Sequence, residues 1–229
     1  MDKSGKGDLT AQLYPLLPQR KFVMVIDLAK CKNARKCVEQ CQKSHHLPPN
    51  QELMKVYLMQ ESEEDLPYWM PKPCFHCDEP LCLEACQTGA TIKSEDGIVL
   101  IDKALCIGCK NCINACPYSS RHFRRNPFPD QAGVHPPSNS IDSPGETTGI
   151  SKCDFCKNLV EEGKLPQCVT ACPSGTIYFG DRIADIVSNG QEQVSFSELI
   201  SSRLGFQHLG HFGTKPNVYY LPPDPVTKP

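Results

Sequence analysis

Short apolar runs, rather than long amphipathic stretches, carry most of the hydrophobic pattern in this chain. Residues 22–28, FVMVIDL, are apolar and rich in β-branched side chains, which predicts a strand. Further strands are predicted at 176–181, TIYFGD, and at 53–59, LMKVYLM. Residues 90–102, ATIKSEDGIVLID, are typical of a β-hairpin that turns at Ser94–Gly97. The pattern therefore predicts short strands joined by irregular segments.

Two proline-rich segments interrupt this pattern. Residues 126–150 are rich in Pro, Gly, Ser and Asn, which predicts an irregular excursion. The tail from Thr214, TKPNVYYLPPDPVTKP, holds too many prolines for a helix, so we expect it to run extended over a surface. Long irregular segments in a compact chain usually contact something. We expect both to lie on partner subunits, with Tyr219 and Tyr220 as interface anchors.

The composition leaves little material for a conventional apolar core. Of 229 residues, 39% are hydrophobic and 7% aromatic, whereas 21 are Pro, 15 Gly and 15 Cys. The formal net charge of −2 gives no reason to expect a nucleic-acid partner. The first 21 residues contain no apolar h-region and no twin arginine, and no stretch approaches the roughly 18 apolar residues of a transmembrane helix. We therefore expect no signal peptide and no membrane span in this chain.

The cysteines are the strongest signal, and they fall into four groups. These are Cys31, Cys37 and Cys41 (group I), Cys74, Cys77, Cys82 and Cys86 (group II), Cys106, Cys109, Cys112 and Cys116 (group III), and Cys153, Cys156, Cys168 and Cys172 (group IV). Group III matches the bacterial ferredoxin run C-x2-C-x2-C-x3-C-P residue for residue. In that run three thiolates on a tight loop wrap one cluster, while the fourth points away and ligates another. The spacing predicts iron–sulfur clusters.

Zinc and disulfides are the competing interpretations of so many cysteines. Groups II and IV keep the first pair and the terminal C-x3-C of group III, and lengthen only the middle. Zinc also uses Cys-x2-Cys pairs, but the fourfold repetition and the prolines at 117 and 173 favour clusters. Disulfides are typical of small secreted chains. A zinc-binding module remains an alternative, and it would be colourless rather than brown.

Group I lacks one cysteine, because Ala34 occupies the second ligand position in KCKNARKCVEQC. The four groups use all 15 cysteines, so no spare thiol exists. Two interpretations stay open. Either Asn33, His45, His46 or a water completes a four-iron cluster, or the cluster has lost one iron and is [3Fe-4S]. We favour [3Fe-4S], since an alanine methyl cannot coordinate iron.

The sequence contains no residue set that suggests substrate chemistry. Each cysteine that could act as a nucleophile is assigned as a ligand, and no glycine-rich phosphate loop is present. We therefore predict no catalytic residues and no enzymatic activity of the chain alone. A basic cluster follows group III and consists of Arg121, Arg124 and Arg125. It is either a solvated surface or a patch that attracts an acidic partner.

With all four groups in place, the chain resembles the four-cluster iron–sulfur, electron-transfer subunits of the molybdopterin oxidoreductase superfamily. That family serves polysulfide, dimethyl sulfoxide, tetrathionate and nitrate reductases and formate dehydrogenase. The resemblance covers residues 20–221, and its most specific parts are CIGCKNCINACPYSSRHF, KCDFC…GKLPQCVTACPSGTIYFGD and GTKPNVYYLP. The chain departs from the pattern at Ala34 and at Gln87, where a proline is usual. The resemblance implies an α+β fold of tandem bacterial-ferredoxin-like modules, with cluster-binding loops, short helices, small antiparallel hairpins and irregular insertions.

The resemblance also implies a domain organisation. We expect an N-terminal extension (1–21), the first half of an outer module with group I (22–73), an inner module with groups II and III (74–125), the excursion (126–150), the second half of the outer module with group IV (151–185), and a C-terminal extension with a docking tail (186–229).

A ligand exchange between groups is implied as well, with group I paired to group IV and group II to group III. One cluster then takes Cys31, Cys37 and Cys172 with position 34 vacant, a second Cys153, Cys156, Cys168 and Cys41, a third Cys74, Cys77, Cys82 and Cys116, and a fourth Cys106, Cys109, Cys112 and Cys86. The cofactors expected are three [4Fe-4S] clusters and one [3Fe-4S] cluster.

The function that the resemblance implies is a non-catalytic relay of electrons. Its partners would be a large molybdopterin oxidoreductase-like catalytic subunit and a membrane-anchor subunit that is quinone-reactive or bears haem. The chain would then be peripheral on a membrane complex, on the extracytoplasmic (periplasmic) side through export with a partner, or on the cytoplasmic side. The alternative is a free multi-cluster ferredoxin that shuttles by diffusion, against which the tail and the excursion argue.

Overall fold

The computed structural model describes residues 20–60, 62–63, 65–125 and 148–223. Within them the strands are β1 (Phe22–Asp27), β2 (Lys55–Met59), β3 (Tyr68–Lys72), β4 (Thr91–Lys93), β5 (Val99–Ile101), β6 (His122–Arg125), β7 (Thr148–Ser151), β8 (Ile177–Asp181), β9 (Ile186–Ser188), β10 (Gln193–Ser195) and β11 (Val218–Leu221). Five of them form a sheet in the order β10-β9-β8-β1-β11, and the others pair as β2-β3, β4-β5 and β6-β7.

The helices are short and follow the cysteine loops. They are α1 (Lys36–Ser44), α2 (Leu81–Glu84), α3 (Asn111–Asn114), α4 (Lys157–Glu161), α5 (Gln167–Thr170) and α6 (Phe196–Ser202), with 3-10 turns at Leu28–Lys30 and Gly210–Phe212. In the described part of the chain, no helix has the length and apolar character needed to cross a membrane.

Strand β1 lies between β8 and β11 in the five-stranded sheet and is buried along its whole length. It pairs antiparallel with β8, from Phe22 opposite Asp181 to Ile26 opposite Ile177. Its two faces enter different apolar clusters, with Met24 in the larger one and Val23 in the smaller one. Burial on both faces explains its unbroken apolar sequence. The strands predicted at both ends of the cysteine region are therefore confirmed.

The prediction that the tail runs over a surface is wrong for residues 214–221. Strand β11 pairs in parallel with β1, and Tyr220 and Leu221 are fully buried. The prolines lie beside this strand, at 216, 222 and 223, so the VYYL run keeps all its backbone donors for the ladder. Tyr220 is therefore a core residue rather than an interface anchor, and residues 224–229 lie outside the described part of the chain.

The two-stranded sheets contain the other predicted strands. The hairpin of β4 and β5 turns where predicted, with Gly97 at a φ of 89° that suits glycine. The strand predicted at 53–59 is β2, and its partner is β3. Strand β7 was not predicted, since its residues fall at the end of the expected excursion; they pair with β6 instead. The rest of the excursion, 126–147, is outside the described residues.

The fold is thus a mixture of short helices and small, mainly antiparallel sheets, as the α+β prediction requires. The division into outer and inner modules stays a prediction.

Substitution of Tyr220 tests the core role of β11. The side chain is buried and donates a hydrogen bond to the Pro71 carbonyl at 2.9 Å. We expect Tyr220→Ala to lower the free energy of unfolding by about 3–5 kcal/mol, as deletion of a buried aromatic ring does. The matched control, Tyr220→Phe, keeps the ring and should cost about 1 kcal/mol. Urea unfolding followed by circular dichroism under anaerobic conditions measures both, and equal stability of the two variants would contradict the assignment.

Candidate metal centres

The four cysteine loops share one backbone feature. The residue two positions after the first cysteine of each group has a positive φ, at Asn33 (53°), His76 (42°), Gly108 (69°) and Phe155 (59°). A left-handed residue at this point reverses the chain direction over a very short loop. Group I therefore shares this left-handed residue with the complete groups, and Ala34 follows it where they carry their second cysteine.

Groups I and IV meet at one pocket. Helix α1 of group I packs against helix α5 of group IV. Cys31, Cys37 and Cys172 line a single pocket together with Ala34. Burial raises the pKa of Cys37 to about 12, and the neighbouring thiols of Cys172 and Cys31 add to the shift. Three thiols and one methyl group therefore converge here.

The remaining cysteines of groups I and IV form a second set. Burial raises the pKa of Cys41 to about 11, with Cys156 as the thiol that contributes most after it. Cys168 is fully buried, and its pKa is raised well above the usual value by burial and then by Cys156, Cys153 and Cys41. The charge of Cys37, from the neighbouring pocket, also contributes to the shift of Cys168, so the thiols of groups I and IV act on one another.

Groups II and III repeat this exchange. Helix α2 of group II packs against helix α3 of group III. Burial raises the pKa of Cys77 to about 12, and the thiols of Cys74, Cys82 and Cys116 contribute further. The fourth cysteine of group III thus lies with the first three of group II.

The last set lies nearest the surface. Cys86 lines one pocket with Cys106, Cys109 and Cys112, and Cys109 is exposed. The helix contacts and pockets bring group I to group IV and group II to group III, and the assignment of all 15 cysteines to four sets stays a prediction. Ligation of a cluster by each set stays a prediction.

Hydrogen bonds prepare the fourth cysteines of groups II and IV as thiolates. Cys86 accepts from the Thr91 backbone N–H at 3.3 Å and lies 3.8 Å from the Thr88 hydroxyl. Burial alone would raise the pKa of Cys86, but these bonds lower it to about 7. The thiolate is the form that binds metal.

Cys172 has the same arrangement. It accepts from the Thr176 backbone N–H at 3.4 Å and lies 3.6 Å from the Ser174 hydroxyl. Burial opposes ionisation here too, yet bonds from Thr176 and Ser174 lower the pKa of Cys172. Sequence reasoning missed these hydroxyls, although a Thr or Ser two residues after the fourth cysteine in both groups was a readable signal.

The surroundings of the cysteines fit a role as ligands of iron–sulfur clusters better than a role as free thiols. All 15 cysteines are free, and several are buried with raised pKa values that disfavour the thiolate without a compensating cation. Buried donors such as Nε2 of His76 and Nε of Arg121 have no hydrogen-bond partner within the protein. Iron would supply the positive charge, and a bound cluster accepts or releases one electron at a time.

His45 and Asn33, two candidate ligands for the vacant position in group I, lie in different places. His45 lies 3.9 Å from Cys156 and 3.6 Å from a carboxylate oxygen of Asp154, which places it beside the set that contains Cys41 rather than beside Ala34. Asn33 does line the group I pocket, and its buried Oδ1 has no hydrogen-bond partner. Asn33 is therefore the better placed of the two.

Arg121 is not part of a basic surface, contrary to that expectation. Its side chain is 3% exposed and lines the pocket of Cys86 and Cys112. It directly precedes β6, and its Nη1 donates to the Thr91 hydroxyl at 3.1 Å. The side chains of Arg124 and Arg125 lie outside the described residues.

These features define an iron–sulfur protein of the ferredoxin-like class. The 4Fe-4S dicluster domain family matches residues 66–127 and 136–182 of the chain. Among curated proteins, a subunit of selenate reductase from Mesobacillus selenatarsenatis is 35% identical over 94% of this chain and 77% of its own length. A subunit of tetrathionate reductase from Salmonella typhimurium is 30% identical over 89% and 73%. The iron–sulfur cluster-binding subunit of menaquinone reductase from Nitratidesulfovibrio vulgaris is 30% identical over 88% of each.

The chain therefore belongs to the family of iron–sulfur, electron-transfer subunits of reductase complexes within the molybdopterin oxidoreductase superfamily.

Proposed function

We propose that this chain relays electrons through four iron–sulfur clusters between a catalytic subunit and a membrane-anchor subunit. The observation that supports the proposal is that cysteines from different groups share pockets, with Cys86 beside Cys106, Cys109 and Cys112 in one and Cys172 beside Cys31 and Cys37 in the other. The chain itself is non-catalytic in this proposal, since its cysteines are used as ligands.

The proposed ligands of three [4Fe-4S] clusters are Cys153, Cys156, Cys168 and Cys41, then Cys74, Cys77, Cys82 and Cys116, then Cys106, Cys109, Cys112 and Cys86. The fourth cluster is held by Cys31, Cys37 and Cys172, and we propose that it is [3Fe-4S]. The position of Ala34 supports this, because it follows the same left-handed residue as the second cysteine of the other groups and lines the pocket of these three thiols.

A second candidate for this cluster is a [4Fe-4S] form with Asn33 as the fourth ligand. The buried, unpaired Oδ1 of Asn33 in the group I pocket favours it. The carboxamide is a weak, neutral oxygen donor, whereas iron in such clusters is otherwise bound by thiolate. We therefore keep [3Fe-4S] as the main proposal.

Replacement of Ala34 by cysteine tests the vacancy. We expect the iron content to rise from about 15 to about 16 per chain, because the added thiolate completes the set. The spin-half signal of oxidised [3Fe-4S] should disappear from the EPR spectrum, and the potential of the site should fall. Ala34→Val is the matched control, since it adds bulk without a ligand and should leave about 15 irons.

Asn33→Gly separates the two candidates. Glycine accepts the positive φ of this position and removes the carboxamide. If the cluster is [3Fe-4S], the variant should keep its iron content and its EPR signal. An oxidised wild-type protein with about 16 irons and no such signal, which loses one iron in Asn33→Gly, would contradict the [3Fe-4S] proposal.

The partners follow from the named relatives and from one surface. The relatives include subunits of selenate and tetrathionate reductases. We propose a large molybdopterin oxidoreductase-like subunit on one side, and a quinone-reactive or haem-bearing membrane anchor on the other. Leu105 and Ile107 flank Cys106 and are 49% and 70% exposed, so these two side chains form an apolar rim on one side of the set nearest the surface. Such a rim supports docking at this end of the relay.

Association with partners distinguishes the relay from a free ferredoxin. We expect the native protein to elute from gel filtration with a large, molybdenum-containing subunit, whereas a diffusing shuttle would elute alone. Ile107→Glu should weaken the association with one partner while the iron content stays at about 15, because a charge would be buried in the contact. Leu204→Glu is the control, since Leu204 is 79% exposed but is not part of the rim. Equal loss of the partner in both variants would contradict docking at the rim.

A further inference from the structure

Arg121 is a buried cation at the boundary between two of the proposed cluster sites. Its side chain is 3% exposed, and Nη1 donates a hydrogen bond to the Thr91 hydroxyl at 3.1 Å. Thr91 in turn donates its backbone N–H to Cys86. The Nη1 group of Arg121 is therefore held by Thr91, a residue that also hydrogen-bonds to a thiol of the site nearest the surface.

The segment that carries Arg121 lies beside both sites. Its side chain lines the pocket of Cys86 and Cys112, and the hydroxyl of the preceding residue, Ser120, donates to the Pro73 carbonyl, next to Cys74, at 2.9 Å. Burial alone would lower the pKa of Arg121, but the charges of Cys82, Cys74 and Cys112 raise it. The side chain therefore stays charged and lies near members of two ligand sets.

Protein groups leave part of this cation unsatisfied. Nε and Nη2 are buried and have no hydrogen-bond partner, and no carboxylate in the described part of the chain forms an ion pair with Arg121. Lys152, the other buried cation nearby, donates to the Cys153 carbonyl at 2.6 Å. An unpaired buried guanidinium is costly, so an anionic partner has to face the two free N–H groups.

A cluster held by four thiolates provides such a partner, because it carries a net negative charge and gains one further negative charge when it is reduced. A fixed positive charge stabilises the reduced form more than the oxidised form. Hydrogen bonds to the sulfurs act in the same direction, and both effects raise the reduction potential. Arginine suits this position because it stays protonated and presents its donors in a rigid fork.

We propose that Arg121 bridges the two clusters of groups II and III, donates to a ligand sulfur of each, and raises the reduction potential of both. The inference rests on the proposed function, since it needs those two clusters to be present. Arg121 is a positioning charge in this account and takes no part in ligation.

The test is an EPR-monitored redox titration of the cluster-loaded chain, with Arg121→Gln and Arg121→Lys compared to wild type. In Arg121→Gln we expect both clusters of groups II and III to become harder to reduce, by about tenfold in the reduction equilibrium, or about 59 mV for one electron. The clusters of groups I and IV should keep their potentials. Arg121→Lys keeps the charge, so at least one of the two potentials should fall by less than in Arg121→Gln. Because lysine cannot donate to both sites, at least one potential should still lie below its wild-type value.

The control is Arg203→Gln, which removes one positive charge from a residue that pairs with Asp27. It should leave the potentials of groups II and III unchanged. Unchanged potentials in Arg121→Gln, or an equal fall at all four clusters, would overturn the inference. If Arg121→Gln fails to load iron, Arg121→Lys decides, and two unaltered potentials there would overturn it as well. Wild-type protein that carries no clusters would instead refute the proposed function.

Discussion

The structure depends on the convergence of buried thiols from distant parts of the chain. Cys37 and Cys172 lie in one pocket although 134 residues lie between them in the sequence, and helix α1, which carries Cys41, packs against helix α5, which carries Cys168. Closure of such long loops costs chain entropy. The buried thiols have raised pKa values, so they contribute no ligand bonds to offset this cost unless a metal cation binds them. Metal binding and folding are therefore linked in this chain, since the free energy of ligation is available only to the folded arrangement.

The central sheet holds the two ends of this arrangement in register. β1 leads into group I and β8 leaves group IV, so their antiparallel pairing sets Cys31 and Cys172 side by side. The Asp27 N–H donates to the Thr176 carbonyl at 2.8 Å, which extends the pairing up to the cysteine loops. Between the two halves, His76 stacks on Phe155 with ring centroids 3.7 Å apart. Residues at the same loop position in groups II and IV thus connect the two pairs of sites.

Features with a local cause could be predicted from the sequence, and features with a distant cause could not. The loops follow from cysteine spacing, and the first and last strands of the cysteine region follow from β-branched runs. The pairing of groups required a family resemblance, because spacing alone does not say which helices pack. The tail was predicted wrongly since proline content was averaged over 16 residues, whereas Val218–Leu221 contains none. Arg121 was predicted to belong to a basic cluster because the sequence does not show which distant residues, such as Thr91, cover it.

The charges that the chain places beside its thiols differ from site to site. Arg121 lies in the pocket of Cys86 and Cys112, where its positive charge would favour added negative charge. Asp154 lies beside the set with Cys41, and its carboxylate is 3.6 Å from His45. The pKa of Cys153 is raised most by burial, then by Cys41 and then by the Asp154 carboxylate. A carboxylate opposes reduction of a neighbouring cluster, whereas a guanidinium assists it. Clusters with identical ligands would therefore differ in potential, and the surrounding residues rather than the cysteines would decide where an electron rests along the relay.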